Sequence, residues 1–165
     1  MLDIGAGVGA VHLALLDAGA TAAVDVDISP AFVAAARDEA ARRGRSDAVR
    51  YEVGDFVALA PSLEPADIVA LDRVVCCYGD MRALVSLSAS RARHRYGLVY
   101  PRDVWWIRNG AKVLNALSGL FRSKTRFYVH ATRDVDELVR VEGFERRMRR
   151  TTSFWQVAVY ERPTA

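Results

Sequence analysis

Met1-Leu2-Asp3-Ile4-Gly5-Ala6-Gly7-Val8-Gly9 decides how the rest of the chain is read. An apolar strand runs straight into three glycines on alternate positions, with an acidic residue two places before the first. Glycines let the backbone turn sharply and approach a ligand with no Cβ in the way. The helix that follows aims its free N–H groups at that ligand. This is the pattern of a nucleotide-type cofactor loop.

Two cofactor chemistries compete for such a loop. The dinucleotide fingerprint is G-x-G-x-x-G, with a pyrophosphate at the helix N-terminus. Here the glycines are Gly5, Gly7 and Gly9, followed by Ala10, so the third comes one residue early. A carboxylate at Asp3 would repel a pyrophosphate and attract a cationic ligand. The arrangement resembles the first motif of class I S-adenosylmethionine-dependent methyltransferases. That resemblance implies that Gly5, Ala6, Gly7 and Gly9 hold the methionine end of the cofactor and that Asp3 orients its amino group.

Strands and helices alternate along the chain. Leu2–Ile4, Ala22–Val26, Val49–Val53, Ile68–Leu71 and Tyr96–Tyr100 read as buried strands. Between them come helices over Ala10–Ala18 (Val11, Leu15 and Ala18 inward), Ala31–Arg43 (Phe32, Ala35 and Ala36 inward) and Asp80–Ser90. Ser29 and Pro30 supply a cap and a first-turn proline. A less regular stretch, 102 to 124, holds a helix over Ile107–Phe121. Phe127–His130 is extended, Asp134–Glu142 is helical, and strands over 145–151 and 154–161 close the chain. The expected fold is α/β: a Rossmann-like, doubly wound, mostly parallel seven-stranded sheet with a C-terminal antiparallel pair, in three α/β/α layers.

Further motifs extend the resemblance over nearly the whole chain. Asp27 lies about 20 residues past the glycines, where an acid accepts from ribose hydroxyls; Asp25 competes for that role. The second motif of the family, matched by Val26 to Pro30, favours Asp27 with Ile28 as an apolar platform for adenine. Gly54-Asp55-Phe56 matches a third element, in which Asp55 bonds the adenine amine and Phe56 packs on the ring. Leu71 and Asp72 fall in the fourth motif, where cofactor meets acceptor, and Arg73 beside them suits an acceptor carboxylate. His130 is the general-base candidate by its ordinary pKa, while His12 and His94 read as structural.

Hydrophobic residues make up 52% of the 165-residue chain and charged ones 26%, enough for the core of one domain spanning 1–165. The family's usual lid helices do not precede Met1, which fits either a lidless enzyme or a shortened product. Adjacent Cys76 and Cys77 argue against a structural disulfide or metal clip, and for a reduced, cytoplasmic protein. No apolar run of about 18 residues is present, so no membrane partner is expected. No Asn/Asp-Pro-Pro-aromatic acceptor motif follows the fourth strand, so nucleic acid is not expected either. The function implied is S-adenosylmethionine-dependent methyl transfer to a small-molecule acceptor by in-line displacement. The alternative is a methyltransferase-like domain that only binds the cofactor.

Overall fold

Seven strands form one sheet in the order β3-β2-β1-β4-β5-β7-β6. The computed structural model describes residues 1–120 and 126–163. β1 (Leu2–Ile4), β2 (Ala23–Asp27), β3 (Val49–Val53), β4 (Ala66–Asp72) and β5 (Ala92–Pro101) pair in parallel. β7 (Trp155–Glu161) runs antiparallel to both β5 and β6 (Glu145–Thr151). The strand order reverses beside β1, so the carboxyl ends of β1 and β4 open a crevice there.

The period-2 alternation of β1 sorts its side chains between two layers. Leu2 and Ile4 join Val69, Leu71, Tyr96, Leu98 and Tyr160 in a core covered by α3 (Phe56–Leu59), α4 (Met81–Ser90) and α6 (Thr132–Val141). α1 (Ala10–Asp17) and α2 (Pro30–Arg42) cover the other face over Ala23 and Val49. Asp3 and Asp25, paired across β1 and β2, are buried beside His12 of α1. The three-layer expectation therefore holds.

Two helix faces differ from the expectation. In α1 the buried residues are His12, Leu13 and Leu16, rather than Val11, Leu15 and Ala18. Gly9 caps α1 in the left-handed region at φ 83°, and Asp3 captures the His12 amide; together they set the rotation of the helix. In α2 the buried residues are Val33, Ala36 and Ala40, which leaves Phe32 about half exposed at the crevice. α5 spans Trp105–Leu120, so the expected end at Phe121 lies outside the described residues.

Candidate active site

Two adjoining cavities occupy the crevice. The first, of about 300 Å³, is lined by Gly5 and Gly7, by Asp27, Ile28 and Phe32, by Asp55 and Phe56, and by Arg73 and Tyr78. The second, of about 390 Å³, is lined by Gly5, Ala6, Gly7 and Val8, by Asp72, Arg73 and Cys77, and by Phe127 and Trp155. Gly5, Gly7, Arg73 and Cys77 border both, so the cavities meet across the glycine loop.

Asp27 ends β2 and ties the site together. Its Oδ2 accepts from the Gly7 amide at 2.9 Å and its Oδ1 from the Ser29 amide at 2.8 Å. The Ser29 hydroxyl caps α2 by accepting from the Phe32 amide. Gly5, Gly7 and Gly9 all have positive φ. A Cβ on Gly5 would sit 2.3 Å from Val74 Cγ2, whereas one on Gly7 would meet nothing within 4 Å. The open space above Gly7 is cavity.

Across the first cavity, Asp55 caps α3 by accepting from the Val57 amide at 3.0 Å. The Tyr78 hydroxyl lies 2.9 Å from each Asp55 oxygen and donates to the carboxylate. Burial first, and then this carboxylate, push the phenol up to about 12. Ile28, 72% exposed, lies at the mouth with Phe32 as an apolar surface.

Asp72 ends β4 and pairs with Arg73 just after it, whose Nε and Nη2 lie 3.2 and 3.1 Å from the carboxylate oxygens. Arg73 is the only non-glycine residue with positive φ among the described residues, at 61°. Its amide donates to the Val99 carbonyl at 2.9 Å, which pins the strained turn. Val75–Cys77 then form a 3-10 turn in which Cys76 and Cys77 are free thiols with Sγ atoms 3.6 Å apart. Burial, then the neighbouring Cys77, push the Cys76 thiol up to about 12.

Four expected site residues lie elsewhere. Asp3 lines neither cavity: it is buried, and its Oδ2 accepts from the His12 amide at 3.1 Å and faces His12 Nδ1 at 3.0 Å. It braces α1 under the loop, and its Oδ1 has no hydrogen-bond partner within the protein. Gly9 is the cap of α1, and Leu71 is a core residue. His130 also lines neither cavity. Its Nε2 lies 3.1 Å from the Val75 carbonyl, so the ring proton sits there, and Tyr128 stacks on the ring. Burial lowers its pKa, with backbone hydrogen bonds to Val75 and Tyr78 opposing the shift. His130 straps its segment to the 3-10 turn and is in no position to act as a base at either cavity.

The structure adds residues the sequence did not single out. Phe32 and Val74 line the first cavity, and Trp155 the second. Only the Ser29-Pro30 start of α2 hinted at Phe32; Tyr78 meets Asp55 across 23 residues without a local signal.

The donor set discriminates between cofactors. The Gly7 amide, which a pyrophosphate would need, is taken by the Asp27 carboxylate, and the Gly9 amide donates to the Ala6 carbonyl. Three carboxylates, Asp27, Asp55 and Asp72, border the two cavities against the single guanidinium of Arg73. Such walls suit a cation and repel phosphates.

A family model described as "Methyltransferase domain" matches residues 1–94. Ribosomal protein L11 methyltransferase of Erwinia tasmaniensis is 31% identical over 98 residues, which are 57% of this chain and 31% of that protein. The match thus spans about a third of that relative's length. Magnesium protoporphyrin IX methyltransferase of Synechocystis PCC 6803, solved with bound SAH, superposes with a TM-score of 0.78 at 27% identity, covering 98% of this chain and 73% of that one. A putative sarcosine dimethylglycine methyltransferase of Galdieria sulphuraria shares the fold, with a TM-score of 0.75 at 10% identity over 97% of this chain and 77% of that one. With loop, sheet order and family model in agreement, the chain belongs to the methyltransferase domain family, within the class I S-adenosylmethionine-dependent methyltransferases.

Proposed function

We propose that the protein transfers a methyl group from S-adenosylmethionine to a small-molecule acceptor. The observation that carries this reading is the Asp27 bridge. One carboxylate fixes the glycine loop and the start of α2, fills the amide a phosphate would take, and lies at the cavity wall. Asp27 would hold the ribose hydroxyls, Ile28 and Phe32 the adenine face, and Asp55 its amine, with Tyr78 fixing the Asp55 carboxylate. Gly5, Ala6 and Gly7 would receive the methionine end. Bound there, the cofactor supplies an electrophilic methyl group on a sulfonium.

The second cavity is the proposed acceptor site. Arg73 borders both cavities, and its pairing with Asp72 holds the guanidinium at their junction. We assign Arg73 to positioning an anionic or polar group of the acceptor, with Trp155 and Phe127 as its apolar wall. No imidazole is free to take a proton at either cavity among the described residues, so the protein contributes alignment and exclusion of water. Alignment alone accounts for large accelerations in transfer reactions.

Isothermal calorimetry with S-adenosylmethionine, S-adenosylhomocysteine and NADH on the protein and its Asp27→Ala variant tests the reading. Binding of the two sulfur compounds, lost in the variant, with no NADH binding, is the expected result. Binding of the cofactor with no turnover on any tested acceptor would instead support the binding-only alternative.

A further inference from the structure

Adjacent side chains on a regular element point apart, yet Cys76 and Cys77 bring their Sγ atoms within 3.6 Å of each other. The Arg73 carbonyl gathers them. It accepts from the Cys76 thiol at 3.2 Å, and Cys77 Sγ lies 3.9 Å from the same oxygen. These are the two cysteines of the chain, and both are free thiols, Cys76 buried and Cys77 exposed. Cys77 borders both cavities and Cys76 the second. Methyl transfer gives this pair no task.

The peptide that joins them is held at both ends. Its carbonyl, from Cys76, accepts from the Tyr128 amide at 2.7 Å, and its N–H, from Cys77, donates to the Val74 carbonyl at 2.9 Å. Consecutive Cα atoms lie about 3.8 Å apart across a trans peptide, nearer than the roughly 4.4–6.8 Å of ordinary disulfides. A bond between these two sulfurs therefore closes a strained ring that thiols reopen readily, which suits a switch and not a staple.

We propose that Cys76 and Cys77 form a reversible thiol–disulfide switch in the wall shared by the two cavities, closed by hydrogen peroxide. Cys77, the exposed sulfur, attacks the peroxide as its thiolate. An S–O bond forms, the O–O bond breaks, and the departing hydroxide takes up the thiol's proton as water. Cys76 Sγ then attacks the Cys77 sulfenic acid: the S–S bond forms, the S–O bond breaks, and the Cys76 proton leaves with the hydroxide as a second water. Two thiols and one peroxide thus give one disulfide and two waters. The fold sets the order of the sulfurs. Cys76 is only 2% exposed, which shields it from peroxide while it touches Cys77. Its thiol, pushed up to about 12 by burial and then by Cys77, keeps its proton until Cys77 has reacted.

Closing the bond removes both thiols from the Arg73 carbonyl and pulls on the peptide whose carbonyl holds Tyr128. Arg73 borders both cavities, and Phe127, next to Tyr128, lines the second. Oxidation therefore reshapes the wall on both sides. This consequence for ligands rests on the proposed function; formation of the bond does not.

Treatment of the full chain with hydrogen peroxide, followed by N-ethylmaleimide and intact mass, tests the inference. The parent should become lighter by two hydrogen atoms and take up no maleimide, and dithiothreitol should restore both thiols. Cys76→Ser should instead give a dimedone adduct at Cys77, the sulfenic acid left without its partner, while Cys77→Ser should keep a free thiol at Cys76. In calorimetry the oxidised parent should bind S-adenosylhomocysteine about fivefold or more weakly than the reduced one, the scale of coupling between linked sites. Thiols untouched by peroxide overturn the proposal, as does a parent that ends as a Cys77 sulfinic acid or a disulfide-linked dimer. A closed disulfide with unchanged affinity overturns the switch. A reduced protein that binds no S-adenosylhomocysteine counts against the cofactor reading, and the masses then decide the proposal by themselves.

Discussion

The Gly7 amide donates to Asp27 Oδ2 at 2.9 Å, joining the loop after β1 to the end of β2 across 20 residues. The carboxylate is thus a structural brace and a cavity wall at once. These roles separate by substitution. Asp27→Asn keeps an oxygen for one amide but loses the charge. It should fold with a loss of about 1–3 kcal/mol, as for a charged hydrogen bond partly unmade. Its affinity for S-adenosylmethionine should fall at least tenfold. Thermal melting beside calorimetry reads both; an Asn variant that binds as the parent does would remove Asp27 from the ligand contacts.

Gly5 and Gly7 should respond differently to a methyl group. At Gly5 an added Cβ collides with Val74 and the φ of 64° is unfavourable as well, so Gly5→Ala should lower the melting temperature strongly. At Gly7 the space is open and only the backbone cost, about 1–2 kcal/mol, remains. Gly7→Ala should stay folded yet bind cofactor poorly, because its methyl group projects into the cavity. Equal melting temperatures for the two variants would contradict the packing at Gly5.

Asp25 gives a dependence on pH. Burial raises its carboxyl from the ordinary 3.8 to about 7; His12 opposes the shift, Asp3 and Asp27 add to it, and Arg37 also opposes it. Neither carboxylate oxygen has a hydrogen-bond partner within the protein. The folded state therefore binds the proton more tightly than the unfolded state, and this group's contribution falls as pH rises from about 4 to about 7. Asp25→Asn should melt higher than the parent at pH 8, with the difference shrinking toward pH 5. Parallel melting curves across that range would count against a protonated Asp25.

Arg73 holds a left-handed backbone that glycine adopts freely. Arg73→Gly should therefore be about as stable as the parent, since relief of strain offsets the added chain entropy. Turnover on any acceptor should fall with cofactor binding nearly unchanged. A variant clearly less stable than the parent would mean that the Asp72 ion pair matters more to folding than the strain does.

His130→Gln tests the strap. Glutamine retains a donor for the Val75 carbonyl, so the variant should keep the shape of the pH–rate profile seen for the parent. His130→Ala should lose stability by about 1 kcal/mol or more through the unpaired carbonyl. Loss of a rate-controlling ionisation near neutrality in His130→Gln would restore the imidazole as a base.

Much of the sheet was legible because β1, β2, β4 and β5 contain short apolar runs ended by glycine, aspartate or proline, and because the last two strands follow a helix with no crossover between them. The turn at the loop glycines was legible because positive φ is a local property, whereas the bond from the Gly7 amide to Asp27 spans 20 residues. Helix faces were not, since the rotation of α1 depends on the left-handed cap at Gly9 and on Asp3 reaching the His12 amide, both tertiary effects. The burial of Asp3 against His12 was not legible either, because it follows from which face of β1 the α1 helix covers. His130 misled because a histidine's chemistry is visible in the sequence and the carbonyl that occupies its nitrogen is not.

β7 lies between β5 and β6, so the penultimate strand in the chain is the outer one. Until residues 155–161 leave the ribosome, β6 has no neighbour and β5 presents an open edge. Tyr160, buried against Tyr96, arrives with the same strand. The sheet thus gains β7 through a local hairpin with β6 and a long-range pairing with β5, the latter being the slow kind of folding step. β6, the outer strand, carries four arginines and is exposed along its length, and charge of this kind disfavours pairing with the sheet edges of other chains.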